Sequence, residues 1–128
     1  MKNFDRWNNI KKSIEVRNNE LYFYPREIWL ACLGLNIGSE QDGGGVGYIR
    51  PVLIIKKYTD RTMLVLPMTS KSRVGDYYYK IDNINRPNWI ILTQSRVLDR
   101  KRLVRKIKVI SDSEYEDIID RFVGLLRR

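Results

Sequence analysis

The sequence predicts a mainly β, β-rich α+β domain: a curled antiparallel sheet or small barrel with a helix at each end. Three observations carry this. Short apolar runs rich in strand formers recur from Glu27 to Ile110, with turn-like segments between them. Two stretches with helical spacing of apolar residues, Phe4 to Ile14 and Tyr115 to Leu125, bracket those runs. Consecutive strands joined by short turns favour antiparallel pairing, since parallel strands need long crossovers. A chain of 128 residues fits a single domain, 1–128. It buries about 65–70% of its unfolded surface, enough for one core without staples.

At the start, Phe4, Trp7, Ile10 and Ile14 recur at three- and four-residue spacing among charged residues. Asn3 is placed to cap this helix. A break follows at Asn18 and Asn19, and the aromatic segment Glu20 to Tyr24 reads as extended. Glu27 to Leu33 is the first apolar strand. Residues 36–47 hold five glycines with Ser, Asn, Asp and Gln, the composition of a long flexible loop. Arg50 to Tyr58 is a strand with Pro51 near its start, where a missing N–H is tolerated. Thr59-Asp60-Arg61 turns the chain into Thr62 to Met68, completing a hairpin. Tyr77 to Ile81 and Trp89 to Thr93 are further strands. Leu103 to Ile110 reads as an edge strand whose lysines oppose sheet-to-sheet association. Ser111-Asp112-Ser113-Glu114 fits a capping box, with Ser111 accepting from the Glu114 N–H. Tyr115, Ile118, Ile119, Phe122 and Leu125 mark one face of the closing helix. Arg121, Arg127 and Arg128 suit the negative end of its dipole.

Lys and Arg total 24 against 15 Asp and Glu, a formal net charge of +9. That balance favours polyanions: RNA, DNA or an acidic protein. The one cysteine, Cys32, cannot form a disulfide within one chain or supply a zinc cluster, and reads as a small buried hydrophobe. Its use fits a reducing, cytoplasmic compartment. No apolar run reaches the length of a membrane span, and no apolar h-region follows the polar Met1 to Arg6, so neither a span nor a signal peptide is expected.

The chain has no histidine. That removes a two-histidine acid–base scheme. With one cysteine and no Asp-x-Asp cluster, no metal or cofactor is expected. Asp112, Glu114, Glu116 and Asp117 crowd a helix start, where they complement the dipole. Gly43-Gly44-Gly45-Val46-Gly47 looks superficially like a phosphate loop. A strand follows it, however, rather than an anion-binding helix N-terminus.

Three polar clusters remain, each at the rim of an apolar strand, where a rigid scaffold presents site residues. The first is Gly38-Ser39-Glu40-Gln41-Asp42-Gly43 with Arg50-Pro51-Val52. The second is Pro67-Met68-Thr69-Ser70. The third is Gln94-Ser95-Arg96 with Asp99 and Arg102-Leu103. Each also has a structural reading: a solvated arginine at a strand start, a polar strand terminus, a glutamine bonding at a turn, and a local Asp99–Arg102 pair. Tyr77, Tyr78 and Tyr79 alternate along a strand, so at least one faces outward. Base stacking and packing against the helix or a partner are both open to them.

Taken in this order, from roughly Arg26 to Leu126, these motifs resemble the MazF/PemK toxins of bacterial toxin–antitoxin systems. The Phe4–Ile14 helix lies outside that family's common core, which divides the chain into a helical extension, 1–24, and a barrel, 25–128. The resemblance implies an SH3-like small barrel of the MazF/PemK/CcdB type, a homodimer, and a metal-independent endoribonuclease acting on single-stranded mRNA at short sequences. In that chemistry the RNA 2′-OH attacks its own phosphate, leaving a 2′,3′-cyclic phosphate and a 5′-OH end. A small acidic antitoxin protein is the implied partner.

By the same resemblance, Arg50 matches the family's catalytic arginine and Thr69 its catalytic threonine. Glu40 matches a loop glutamate and is the candidate general base. Gln94 and Arg96 match residues that hold RNA, and Gln41, Ser70 and Lys71 are candidate RNA contacts. An arginine is a poor proton shuttle, with a pKa above about 12. Arg50 is therefore expected to clamp the charge of the pentacoordinate phosphate, with the Thr69 hydroxyl as a further donor. Two departures stand out. The loop before Arg50 is longer than in many members, and Ile91 and Thr93 stand where some PemK-branch members carry an arginine and an aspartate. Two other functions fit the same barrel: a non-enzymatic, CcdB-like gyrase-targeting toxin, and a catalytically inactive barrel that binds RNA or a partner.

Overall fold

Asn3 opens the first helix as its position predicts, its side chain accepting the Arg6 N–H at 3.0 Å. The structure is a computed structural model that describes residues 1–18, 20–82 and 86–128. Helix α1 (Phe4–Glu15) precedes strands β1 (Glu27–Cys32), β2 (Ile49–Lys57), β3 (Thr62–Thr69), β4 (Tyr78–Ile81), β5 (Asn88–Ile91), β6 (Arg96–Asp99) and β7 (Leu103–Val109). Helix α2 (Asp112–Leu126) closes the chain. Every pairing is antiparallel, in the order β4-β5-β3-β2-β1-β7.

The sheet curls because β3 serves two neighbours on one edge. Its first half, Thr62 to Val65, pairs with β6; its last residues, Met68 and Thr69, pair with β5. Its other edge lies along β2. Central β2 is covered on both faces, so its apolar residues run continuously: Val52, Leu53, Ile54 and Ile55 are all buried. Alternation then sends Val52 and Ile54 to one core with Trp29, Val65, Leu98 and Leu103. Leu53 and Ile55 go to a second core with Ile28, Leu66, Ile90 and Ile118. Helix α2 lies on the second core. Its Ile118 is fully buried, which stabilises the fold by about 1.5–3 kcal/mol. A third, smaller cluster forms beneath α1 from Trp7, Ile14, Cys32 and Tyr48.

Several expectations hold in detail. The β7 strand is an edge, Ser111 Oγ accepts the Glu114 N–H at 3.2 Å, and Cys32 is buried, with its thiol pKa raised by that burial. Tyr79 packs on the second core with Arg121 5.1 Å from its ring centroid, while Tyr77 is exposed. Burial and the Asp117 carboxylate push the Tyr79 phenol up to about 12. Among the described residues, no helix is long and apolar enough to cross a membrane.

Others are corrected. The segment Glu20 to Tyr24 forms no strand among its described residues; it is an irregular stretch that drops Phe23 into the first core and sets Lys57 over the rings of Phe23 and Tyr24. The break predicted at Asn18 and Asn19 falls partly outside the described residues, which exclude Asn19. β6 was not expected: Arg96–Asp99 is short, with a charged residue at each end and only Val97 and Leu98 apolar, and becomes a strand because the free edge of β3 pairs with it. No basic residue occupies the last turn of α2; Arg128 lies beyond it and pairs with Asp76 at 2.8 Å. Asp99 and Arg102 share no direct hydrogen bond or ion pair among the described residues, although the Asp99 charge acts on the Arg102 guanidinium. Asp99 caps a 3-10 turn by accepting the Lys101 N–H, and Arg102 donates to the Cys32 carbonyl at 3.0 Å.

Candidate functional site

Arg50 sits at the start of β2, where the 36–47 loop returns to the sheet. Its Nε donates to the Asp42 carbonyl at 2.6 Å and its Nη1 to the Met68 carbonyl at 3.1 Å. The guanidinium therefore joins the loop to the end of β3, one residue before Thr69. A guanidinium has five N–H donors, and these two bonds fix its plane while leaving others for a ligand. Burial lowers its pKa, Asp42 raises it and Arg73 lowers it further. An arginine stays cationic at neutral pH through such shifts.

Arg50 lines a cavity of about 590 Å³ between the ends of β2 and β3 and the β7 edge. Arg86, Arg105 and Lys108 supply its other charges, so among the described residues every charged lining residue is a cation. Met68 and Ser70 form part of the same wall. Thr69 lies between them but is only 4% exposed, and its Oγ1 accepts the Lys71 N–H at 3.2 Å. That bond uses an oxygen lone pair and leaves the hydroxyl proton to donate. Lys71 is exposed just beyond.

Glu40 and three of the candidate RNA contacts gather elsewhere. Glu40, Gln41, Gln94 and Arg96 line a second pocket of about 270 Å³. Gln94 straps the loop: its Oε1 accepts the Gln41 N–H at 3.3 Å and its Nε2 donates to the Ser39 carbonyl at 3.2 Å. The structural reading of Gln94 is thus part of the geometry. Glu40 is exposed, and its Oε1 accepts the Ile37 N–H at 2.8 Å, capping its own turn. Arg96 donates to the Leu33 carbonyl at 3.4 Å. Its pKa is lowered by burial and by Arg102, and raised by Glu40. Asp42 links the two pockets: it follows Gln41 in the chain and holds Arg50 through its carbonyl.

The loop itself is more tightly organised than its glycines suggest. The Asn36 side-chain amide donates to the carbonyls of Leu33 and Gln41, and its main-chain N–H donates to Asp42 Oδ1. Gly43 is required by close approach: a Cβ there would lie 1.6 Å from the Tyr48 carbonyl oxygen.

The sequence model for the "PemK-like, MazF-like toxin of type II toxin-antitoxin system" matches residues 24–126. The chain belongs to this family. It is 32% identical to the endoribonuclease MazF of Staphylococcus epidermidis, over 77% of this chain and 89% of that relative. Its fold is shared with MazF from Deinococcus radiodurans, at a TM-score of 0.64 and 18% identity, covering 87% of this chain and all of that one. It is also shared with a mycobacterial endoribonuclease solved with its cognate antitoxin, at a TM-score of 0.61 and 11% identity, covering 81% and 94%. The predicted β-rich barrel is thus the fold of the MazF/PemK toxins, and the matched segment begins after α1.

The MazF/PemK motifs of the sequence do not include the pocket-lining cations Arg86, Arg105 and Lys108. On β7 a strict two-residue alternation puts residues 105 and 108 on opposite faces. The pairing with β1 is irregular: Ile28 faces Lys108 and Trp29 faces Lys106, leaving Ile107 as the extra residue. Such a bulge re-aims side chains, and Arg105, Ile107 and Lys108 all line the larger pocket.

Proposed function

We propose that this chain is the toxin of a type II toxin–antitoxin system, acting in the cytoplasm as a metal-independent endoribonuclease on single-stranded mRNA. One observation carries the reading: Arg50 is locked between two main-chain carbonyls, beside the Thr69–Ser70 strand end, at the rim of a pocket whose charged residues are all cationic. RNA is a polyanion, and such a pocket draws it in.

The chemistry needs a group that stabilises charge as it develops. When the 2′-OH attacks the adjacent phosphorus, negative charge gathers on the equatorial oxygens, and the P–O5′ bond breaks to leave a 2′,3′-cyclic phosphate and a 5′-OH. Donors that are already oriented pay no reorganisation cost at that moment. Arg50 meets this requirement, and Thr69 adds a hydroxyl donor from behind the wall. Ser70 and Lys71 follow as phosphate contacts, and Gln41, Gln94 and Arg96 as contacts for the strand where it continues into the smaller pocket. Glu40 remains the proposed proton acceptor. Its carboxylate lies in that second pocket and is engaged by the Ile37 N–H, so RNA spanning both pockets, or a shift of its turn, must bring it to the 2′-OH. The pH–rate profile of Glu40→Gln decides this role: a lost acidic limb supports it, and an unchanged profile removes Glu40 from the chemistry.

We further propose that residues 1–24 are a helical extension on a barrel of residues 25–128, that the chain works as a homodimer, and that a small acidic protein neutralises it. The antitoxin-bound mycobacterial neighbour supports the last point by analogy. The test is incubation with long single-stranded RNA in EDTA, followed by end mapping. Cyclic-phosphate and 5′-OH ends at a recurring short sequence are expected, with Arg50→Ala slowing cleavage about 10²–10³-fold. No product from wild type, or full activity in Arg50→Ala, overturns the proposal. Gyrase capture without RNA cleavage would do so in favour of a non-enzymatic toxin.

A further inference from the structure

Lys2, which precedes α1, and Arg6 and Trp7 within it all lie before the segment matched by the family, yet their side chains converge on the loop that carries the Arg50 anchor. Lys2 makes three contacts at once. Its Nζ lies 2.6 Å from the Asn36 carbonyl, 3.4 Å from the Gly38 carbonyl and 2.9 Å from Asp42 Oδ2. An ammonium has three N–H donors, so all are engaged. The other carboxylate oxygen of Asp42, Oδ1, accepts the Asn36 N–H at 2.6 Å. The carbonyl of the same Asp42 accepts Arg50 Nε at 2.6 Å.

The helix grips the loop at its far end as well. Arg6 donates to the Val46 carbonyl at 3.2 Å and lies 5.7 Å from the Tyr48 ring centroid. Trp7 meets Tyr48 edge-on at 5.6 Å, and Arg102 covers its ring at 5.8 Å. Gly34 opens the space for the indole. Tyr48 holds a positive φ of 54°, a conformation that a bulky residue keeps only when its surroundings enforce it. Its carbonyl accepts the Leu33 and Gly34 N–H groups at 3.0 and 3.3 Å. The loop is thus held at residues 36, 38, 42 and 46, on both sides of its glycine run.

We infer that the N-terminal segment, Lys2 together with α1, is a positioning strap: Lys2, through the Asp42 carboxylate, fixes the main-chain path that orients Arg50. The groups that Lys2 contacts, on Asn36, Gly38 and Asp42, lie outside the lining of the larger pocket, and only Asn36 belongs to the smaller one; all three donors of the ammonium are spent on the loop, so its route to Arg50 is through Asp42. The inference rests on the nuclease reading for its catalytic consequence but not for its mechanical part. It assigns a role to the segment that distinguishes this chain from the matched family core.

The test compares Lys2→Met and Lys2→Arg in the full-length protein. Two readouts are followed, amide hydrogen exchange and steady-state cleavage of single-stranded RNA. In Lys2→Met, the Asn36 and Gly43 amides are expected to exchange at least about tenfold faster, while β3 amides keep wild-type rates. Cleavage at saturating RNA is expected to fall about tenfold with KM within about twofold, the signature of lost orientation rather than lost binding. Lys2→Arg restores both. Wild-type exchange at Asn36 and Gly43 in Lys2→Met overturns the strap. Faster exchange with undiminished kcat overturns its positioning role. If wild type cleaves no RNA while the amides respond as expected, the nuclease reading fails and the mechanical link from α1 to the loop stands.

Discussion

Gly34→Ala offers a quantitative test of how the first helix is attached. Gly34 has a φ of +73°, and a Cβ built there would lie 2.1 Å from Cζ2, 2.3 Å from Cε2 and 2.6 Å from Cη2 of Trp7. Two costs follow. Holding alanine in the left-handed region costs about 1–2 kcal/mol. Carbon atoms rest about 3.5–4.0 Å apart, so the indole must retreat by at least about 1.4 Å. Trp7 is only 7% exposed. Removing a buried aromatic side chain altogether costs about 3–5 kcal/mol, and forfeiting half its packing costs about 2 kcal/mol on that scale. The sum is about 3–4 kcal/mol, or a fall in Tm of about 10–15 °C for a domain of this size.

The assay is urea unfolding of wild type, Gly34→Ala, Trp7→Ala and the double variant, followed by far-ultraviolet circular dichroism. With the indole gone, Gly34→Ala should retain only the backbone cost of about 1–2 kcal/mol, giving a coupling energy of about 2 kcal/mol between the sites. Additive costs, with a coupling near zero, would refute the packing argument and leave the positive φ as the whole explanation.

Three further outcomes follow from other parts of the molecule. Ser111→Ala removes the cap of α2 and should cost about 1 kcal/mol, read as a lower urea midpoint with an unchanged m-value. Arg105→Gln should reduce the salt dependence of single-stranded RNA binding by about 0.7 in log–log slope, one phosphate contact, as measured by anisotropy against potassium chloride; an unchanged slope removes Arg105 from the RNA path. Tyr79 has its folded pKa raised to about 12 against an unfolded value of about 10. Its contribution is fully present below about pH 10 and is lost as pH rises towards 12. Asp117→Asn should draw the tyrosinate absorbance transition of Tyr79 back towards the ordinary value.

Much of the fold is legible in the chain because local and global signals agree. The Asn3 and Ser111 caps, the continuous apolar run of β2 and the hairpin through Thr59-Asp60-Arg61 each have a local cause that the sheet does not override. The failures have tertiary causes. Arg96–Asp99 has little strand character of its own and pairs because β3 bends away from β5 and leaves an edge open. Glu20 to Tyr24 looks extended by composition, but what matters there is one aromatic, Phe23, filling a hole in the core. Of the candidate site, Arg50 and the Thr69–Ser70 strand end were singled out by motif order alone, while the carbonyl anchors and the separate pocket around Glu40 arise only in the folded chain. Arg105 and Lys108 were hidden by the bulge at Ile107, which breaks the two-residue period that a reader applies to a strand.

The anchoring of Arg50 has a genetic consequence. Both of its acceptors, at Asp42 and Met68, are main-chain carbonyls, and no side-chain substitution at those positions deletes a carbonyl. In a selection for loss of toxicity, escape variants should therefore be scarce at Met68 as an acceptor position. They should concentrate at Arg50 itself, at the proposed hydroxyl donor Thr69 and at residues that dictate the backbone path, such as Gly43, where any side chain collides with the Tyr48 carbonyl. Sensitivity at such an anchor thus moves away from its acceptors and onto the residues that set the chain path through them.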